Sequence, residues 1–188
     1  MAKRKKQHKS KNSSIIFKAF FILGISLIAF SVYLKVDSYR SLSFASSVPA
    51  ANVDLKTSNP TRIIIPSVNI DLPIEETLIH KNNWEIYENG ASHLNTSANP
   101  GEGGNVIIYA HNTRDRFGSL EEVKKGEIIK LYSEDHKVYT YEVVNILVVN
   151  PTQVELLAPT KSELITIYTC IGFADLKRLV IQAEIRSL

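Results

Sequence analysis

The chain has a single cysteine among its 188 residues, Cys170, and it ends the run Leu164-Ile165-Thr166-Ile167-Tyr168-Thr169, which is β-branched and aromatic with neither Gly nor Pro. Such a run predicts a buried strand. After the break Ile171-Gly172-Phe173-Ala174-Asp175, a second strand pattern opens at Lys177 and carries Arg178. Upstream, Asn105-Val106-Ile107-Ile108-Tyr109-Ala110-His111-Asn112 is another apolar run ending on a titratable side chain. The thiolate is the nucleophilic form of cysteine, and a nearby imidazole can take the thiol proton or hold the pair as ions. A guanidinium adds a permanent cation with a planar fork of donors. The ordinary role of a lone cysteine is core packing, and that of Arg178 is a solvated strand-end charge. Chemistry is favoured because thiol and imidazole both sit at strand ends, the arrangement in which nucleophile and base meet in space while lying far apart in sequence.

The strand from Lys177 to Ile185 alternates. Leu179, Ile181, Ala183 and Ile185 share a core-facing side, and Arg178, Val180, Gln182 and Glu184 share the other. Arg178 is thereby expected on a wetter face, where its replacement, like that of His111, should leave the melting temperature near that of the parent. Among the other histidines, His8 lies in a basic tail, His80 beside Lys81 in a polar stretch and His136 at an expected hairpin tip. His93 is the competitor, in Ala91-Ser92-His93-Leu94-Asn95-Thr96, which reads as a loop where it either bonds a substrate or caps a turn.

These residues resemble a family. Thr166-Ile167-Tyr168-Thr169-Cys170 is similar to the Thr-Leu-any-Thr-Cys signature of bacterial sortases, with Ile for Leu, and Arg178 stands where their essential arginine follows. Pro100-Gly101-Glu102-Gly103-Gly104-Asn105 leading to His111 resembles the segment that delivers their histidine, with Ala110 where many relatives have Gly. Arg62 to Ile74, and Phe117-Gly118-Ser119-Leu120 followed by Lys125-Gly126-Glu127, resemble the start and middle of the same domain, so the resemblance runs in order over residues 60–188. It implies a mainly β, sortase-type closed barrel of about eight strands with short helices. It also implies Cys170 as nucleophile, His111 as acid and base and Arg178 as oxyanion stabiliser; Thr169, next to the thiol, is expected to add a substrate contact, and His93 is the other candidate for one. The implied reaction is transpeptidation of a Leu-Pro-any-Thr-Gly-like sorting signal through an acyl-thioester. The implied partners are surface proteins bearing that signal and an amine acceptor such as a cell-wall precursor, and no nucleic acid. A tethered cysteine hydrolase using water and a non-catalytic surface module are the rival classes.

No cofactor is required by this scheme. Calcium, which some relatives bind, would have to come from acids such as Glu75, Glu76, Glu102 and Asp115, whose spacing forms no recognisable ligand loop.

The elements that position these residues lie beyond residue 60. Strands are expected at 62–66, 68–73, 84–88, 105–110, 127–133, 137–149 (bent or interrupted), 163–169 and 177–186, with helical turns near 117–124 and 153–158. The N-terminal part is of another kind. Residues 1–18 hold seven of the 22 Lys and Arg and no acid, so the net charge of +3 comes from this end. A basic tail (1–14) thus precedes an apolar run (15–36) that as a helix would reach about 33 Å, enough to span a bilayer. A serine-rich stretch (37–59) reads as a linker reaching on the order of 25–30 Å, followed by the catalytic domain (60–188). The length of the run favours an uncleaved anchor over a signal peptide. The linker has no Asp-Pro-aromatic element, and no second apolar span follows the domain, which points to a housekeeping enzyme rather than a pilin polymerase.

Six basic residues precede the span, against Lys35 at its far end and Arg40 just after it, which sets the N-terminus in the cytoplasm and the domain outside. Protease added to intact, wall-stripped cells is accordingly expected to degrade the domain beyond residue 60. Protection in intact cells, with degradation only after lysis, would reverse the orientation.

Overall fold

The computed structural model of the protein describes residues 11–39, 58–80 and 83–187, which fall into two units dividing after Tyr39. The first is helix α1 (Lys11–Tyr39). Its window Ile16–Tyr33 has a mean hydropathy of 2.1, and the helix is long and apolar enough to cross a membrane. The helix overruns the expected span at both ends, taking in residues 11–14 of the tail and 37–39 of the linker. Residues 1–10 of the tail and 40–57 of the linker lie outside the described residues.

The second unit is built from β1 (Pro60–Ile65), β2 (Ile70–Thr77), β3 (Ile79–His80), β4 (Asn83–Trp84), β5 (Ala91–Leu94), β6 (Asn105–Tyr109), β7 (Ile128–Ser133), β8 (Val138–Val149), β9 (Leu164–Ile171) and β10 (Lys177–Ser187). Eight of these close a barrel in the order β1-β2-β5-β6-β9-β10-β8-β7, and β3 and β4 form a separate two-stranded ribbon. Neighbours are antiparallel except β2 with β5 and β6 with β9. A closed barrel leaves no sheet edge to pair with other chains.

Alternation along the strands separates two apolar clusters. Ile63, Ile65, Val106, Ile108, Ile129, Leu131, Tyr141, Ile165, Ile167, Leu179 and Ile181 fill the interior. The opposite side of β6, β9, β10 and the end of β8 presents Ile107, Tyr109, Tyr168, Cys170, Val180 and Val149, roofed by Trp84, Leu94 and Leu157. The strands β6, β9 and β10 are therefore buried on both faces, and this is why 105–109 and 164–169 read as continuous apolar runs.

Several expected boundaries shift. The strand expected at 68–73 begins at Ile70, because Pro66 opens a 3-10 turn (Pro66–Val68) closed by Asn69 in the left-handed region (φ 54°). Of the expected strand 84–88, only Trp84 pairs, with Ile79. The segment 91–96, read as a loop, contains β5 instead. Its four residues are all buried, Ala91 in the interior cluster and Leu94 in the outer one, so no polar-apolar alternation marked it. β8 runs unbroken, and its expected bend is a bulge: Gln182 faces Asn145 while the next residue, Ala183, faces Val143, leaving Val144 as the extra residue. The helical turns appear as 3-10 segments at Gly118–Glu122 and Val154–Leu157.

One carboxylate fastens the approach to β6. Glu163, just before β9, accepts the Gly101 and Gly103 amides on Oε2 (3.1 and 3.4 Å) and the Tyr141 hydroxyl on Oε1 (2.6 Å). The glycines adopt positive φ (86° and 75°), which lets both amides face one oxygen. Burial, and then the Glu163 charge, hold the Tyr141 phenol well above its ordinary range, so it remains a donor. Glu163→Gln keeps the shape but turns one acceptor into a donor, and is expected to cost about 1.5–3 kcal/mol, the range for hydrogen bonds to a charged group. Chemical unfolding of the detergent-solubilised chain measures it. A change within about 0.5 kcal/mol, the ordinary surface value, would show that the loop is held by other means.

Candidate active site

The outer face of β6, β9 and β10 carries the candidate residues. Tyr109 of β6 lies opposite Tyr168 of β9 in the parallel register, and the two rings stack at 5.3 Å between centroids. Trp84 packs edge-on against both, at 5.2 and 5.7 Å. This stack sets β6 against β9 two residues before His111 on one strand and two residues before Cys170 on the other. Across the other edge of β9, Cys170 is the direct antiparallel partner of Arg178. Register thus delivers all three residues to one end of the same wall.

Thr169 faces the opposite way from Cys170 and is fully buried. Its hydroxyl donates to the Ala110 carbonyl at 2.8 Å, so the residue before the thiol is bonded to the residue before the histidine. Thr166 donates to Asn105 Oδ1 at 2.7 Å, and Asn105 Nδ2 in turn donates to the Leu156 and Ala158 carbonyls of the covering segment, at 3.1 Å each. The roof over the face is therefore bonded to the strands beneath it.

Arg178 corrects the sequence reading. Its residue exposure is 1%, so it lies on no wet face. The side of β10 opposite the interior is itself covered, which the alternation alone could not reveal. Arg178 Nη1 donates to the carbonyls of Asp175 (2.8 Å) and Lys177 (3.1 Å), tying the guanidinium to the turn between β9 and β10. In that turn Gly172, Ala174 and Asp175 all have positive φ (82°, 50° and 56°), a strained path for the two non-glycine residues.

Electrostatics link the groups. Burial pushes the Cys170 thiol up to about 11, with Arg178 pulling it down and Asp175 pushing it up. The resting group at neutral pH is the thiol, and the buried cation offsets part of the desolvation cost of its thiolate. Burial also raises the Asp175 carboxyl, against the lowering influence of Arg178 and His111. His111 lies 3.7 Å through Nε2 from Glu88 Oε1.

His93 is in a different setting. Its ring is buried within β5, and Nε2 lies 3.1 Å from the Ala98 carbonyl and 3.2 Å from Ser97 Oγ. Burial takes it down to about 4, so it is neutral at physiological pH. These contacts tie the 93–98 segment together. Among the described residues no group of three or more His, Cys, Asp and Glu could hold a metal ion; Glu75, Glu76 and Asp115 are exposed, and Glu102 accepts the Asn99 amide. Glu88 and Asp175 escaped the sequence reading, because an acid in a polar loop carries no periodic signal.

A thiol, an imidazole and a guanidinium gathered at one end of the wall of a closed eight-stranded barrel describe a cysteine-centred β-barrel. Residues 63–186 match the sortase domain, and the chain belongs to that family. It is 34% identical over 161 residues to Sortase A of Streptococcus agalactiae serotype III, covering 80% of this chain and 62% of that one. To Sortase A of Bacillus anthracis it is 30% identical over 128 residues, covering 66% and 58%. The chain thus spans about three-fifths of the curated relatives it matches. Sortase A from Corynebacterium diphtheriae, in a lid mutant, superposes with a TM-score of 0.59 at 29% identity, covering 72% of this chain and 74% of that chain.

Because Arg178 is buried and bonded to the turn, Arg178→Ala is expected to lower stability by about 1–3 kcal/mol, the cost of leaving buried partners unmade. Arg178→Met, which keeps bulk and removes charge, should raise the Cys170 pKa further. Iodoacetamide alkylation at pH 9 should then slow by about three- to tenfold, as a shift of about half to one unit requires. An unchanged rate would remove the cation from the thiol's electrostatics.

Proposed function

We propose that this chain is a membrane-anchored cysteine transpeptidase that cleaves a Leu-Pro-any-Thr-Gly-like sorting signal and joins the surface protein to an amine acceptor such as a cell-wall precursor. The observation that carries this reading is the register that sets Cys170 beside Arg178 and pairs Tyr109 with Tyr168, two residues before His111 and Cys170. Membership of the sortase domain family and the apolar helix α1 support it.

In this reading Cys170 Sγ attacks the carbonyl carbon after the signal's Thr while its proton passes to His111. This order suits a site whose resting group is a thiol. The oxygen of the tetrahedral intermediate gains negative charge that the Arg178 guanidinium stabilises, and an oxyanion donor of this kind is worth about 2.7–4 kcal/mol of barrier. His111 returns its proton to the departing amine, leaving an acyl-thioester on Cys170. An acceptor amine then attacks the thioester, losing a proton, and an amide forms as the thiol is regenerated. A well-placed amine outcompetes water through its high effective concentration. Thr169, bonded to Ala110, acts by holding the His111 and Cys170 strand ends together.

The test offers sorting-signal peptides to the solubilised full chain and identifies by mass spectrometry what is trapped on Cys170. A thioester adduct that an added amine converts to an amide is the expected result. It should be absent in Cys170→Ala, and turnover should fall at least about a hundredfold in His111→Ala. Release of free acid in the presence of amine would make the enzyme a hydrolase. Persistence of the adduct in Cys170→Ala would remove the nucleophile from this scheme.

A further inference from the structure

His111 receives a contact from a segment that carries none of the sequence motifs. Glu85 to Gly90 connects the β3–β4 ribbon to β5, and it is pinned along its length. Tyr109 donates its hydroxyl to the Glu85 carbonyl at 2.6 Å, and the Tyr87 amide donates to Ser92 Oγ at 2.8 Å. Gly90 passes so close to β2 that a Cβ there would lie 2.2 Å from the Pro73 carbonyl oxygen. Glu88 sits between these anchors, with its carboxylate 3.7 Å from the imidazole.

A second tie comes from the turn that follows the histidine. Arg116 donates through Nε (3.1 Å) and Nη2 to the Glu88 carbonyl, and its Nη1 is paired with the Asp115 carboxylate. The turn is itself closed on His111, since the Phe117 amide donates to the His111 carbonyl at 3.1 Å and the Arg116 amide to the Thr113 carbonyl at 2.9 Å. The backbone that carries Glu88 and the backbone that carries His111 are thus clamped through one guanidinium.

We propose that Glu88 is a positioning residue for His111: its carboxylate orients the ring and favours the imidazolium, and the Arg116 clamp keeps it within reach. This rests on the reading of His111 as acid and base. The charged and titratable groups of the neighbouring elements are then Glu88 from the 85–90 segment, with Arg116 and Asp115 beside it, and Asp175 from the β9–β10 turn, which interacts with both His111 and Arg178 and through Arg178 with the Cys170 thiol. Two carboxylates on different elements oppose the buried Arg178 cation, so the imidazolium formed when Cys170 gives up its proton is favoured by both. Glu88 is largely exposed (78%), so its influence is that of a screened surface pair.

The experiment is a histidine titration followed by NMR on the full chain in detergent micelles with labelled imidazole rings, His111→Gln identifying the His111 signal. Glu88→Gln is expected to lower the His111 midpoint and to leave His136 unmoved, a difference that about 0.5 M salt should shrink. Glu88→Asp should shift it less. Arg116→Lys should lower it too, but add nothing on the Glu88→Gln background. An unchanged midpoint in Glu88→Gln overturns the proposal, as does an Arg116→Lys effect that survives without Glu88. Where peptide is turned over, the limb of the kcat profile belonging to His111 should move with the midpoint. Failure of the parent to acylate any peptide would sink the transpeptidase reading while the titration still judges Glu88.

Discussion

Burial of β6, β9 and β10 on both faces is the constraint on which the rest of the domain depends. A strand in an open antiparallel sheet can leave one face to water, and its polar residues then have no fixed neighbours. Here the barrel interior takes one face, and Trp84, Leu94 and Leu157 close the other. The Tyr109–Tyr168 stack lies beneath that roof. A slip of one residue would send interior side chains outward and the outer ones inward, so the register of β6 against β9 is strongly enforced. The positions of His111 and Cys170 follow from that register.

The same burial gives the site its electrostatics. A thiol at an exposed strand end would titrate in its ordinary range. Under the roof it is pushed up to about 11, and a cation brought in by the neighbouring strand offsets part of the cost of ionising it. Arg178 can be buried because the turn before β10 directs carbonyl oxygens toward its guanidinium, and that turn accepts two non-glycine residues at positive φ to do so. Backbone strain, a buried cation and a suppressed thiolate are thus parts of one local structure. The segments at its margin, 85–90 and 112–117, are fastened both by polar contacts and by Ile86 and Phe117, which pack on the outer and interior clusters.

Much of this was legible from residue types. The β-branched run ending at Cys170, the apolar run leading to His111 and the basic-apolar-serine order of the first sixty residues are local patterns, and local patterns survive without tertiary contacts. β5 was not legible, because Ala-Ser-His-Leu is short and buried on both sides and so shows neither alternation nor an apolar run. Trp84 read as part of a longer strand, since aromatic content signals burial but not which surface supplies it.

Sequence by itself determined the strand periodicity, the interior side of β10, the single thiol and the charge asymmetry around the apolar helix, all properties of neighbouring residues. Tertiary structure alone decided that the second face of β10 is dry, which turned Arg178 from an expected surface charge into a buried cation. It alone decided that Cys170 pairs with Arg178, that Thr169 bonds Ala110, and that Glu88 reaches His111. The reason is common to all of these. Each depends on which distant segment covers a surface, and periodicity along one strand reports that a face is apolar or polar without reporting what lies over it.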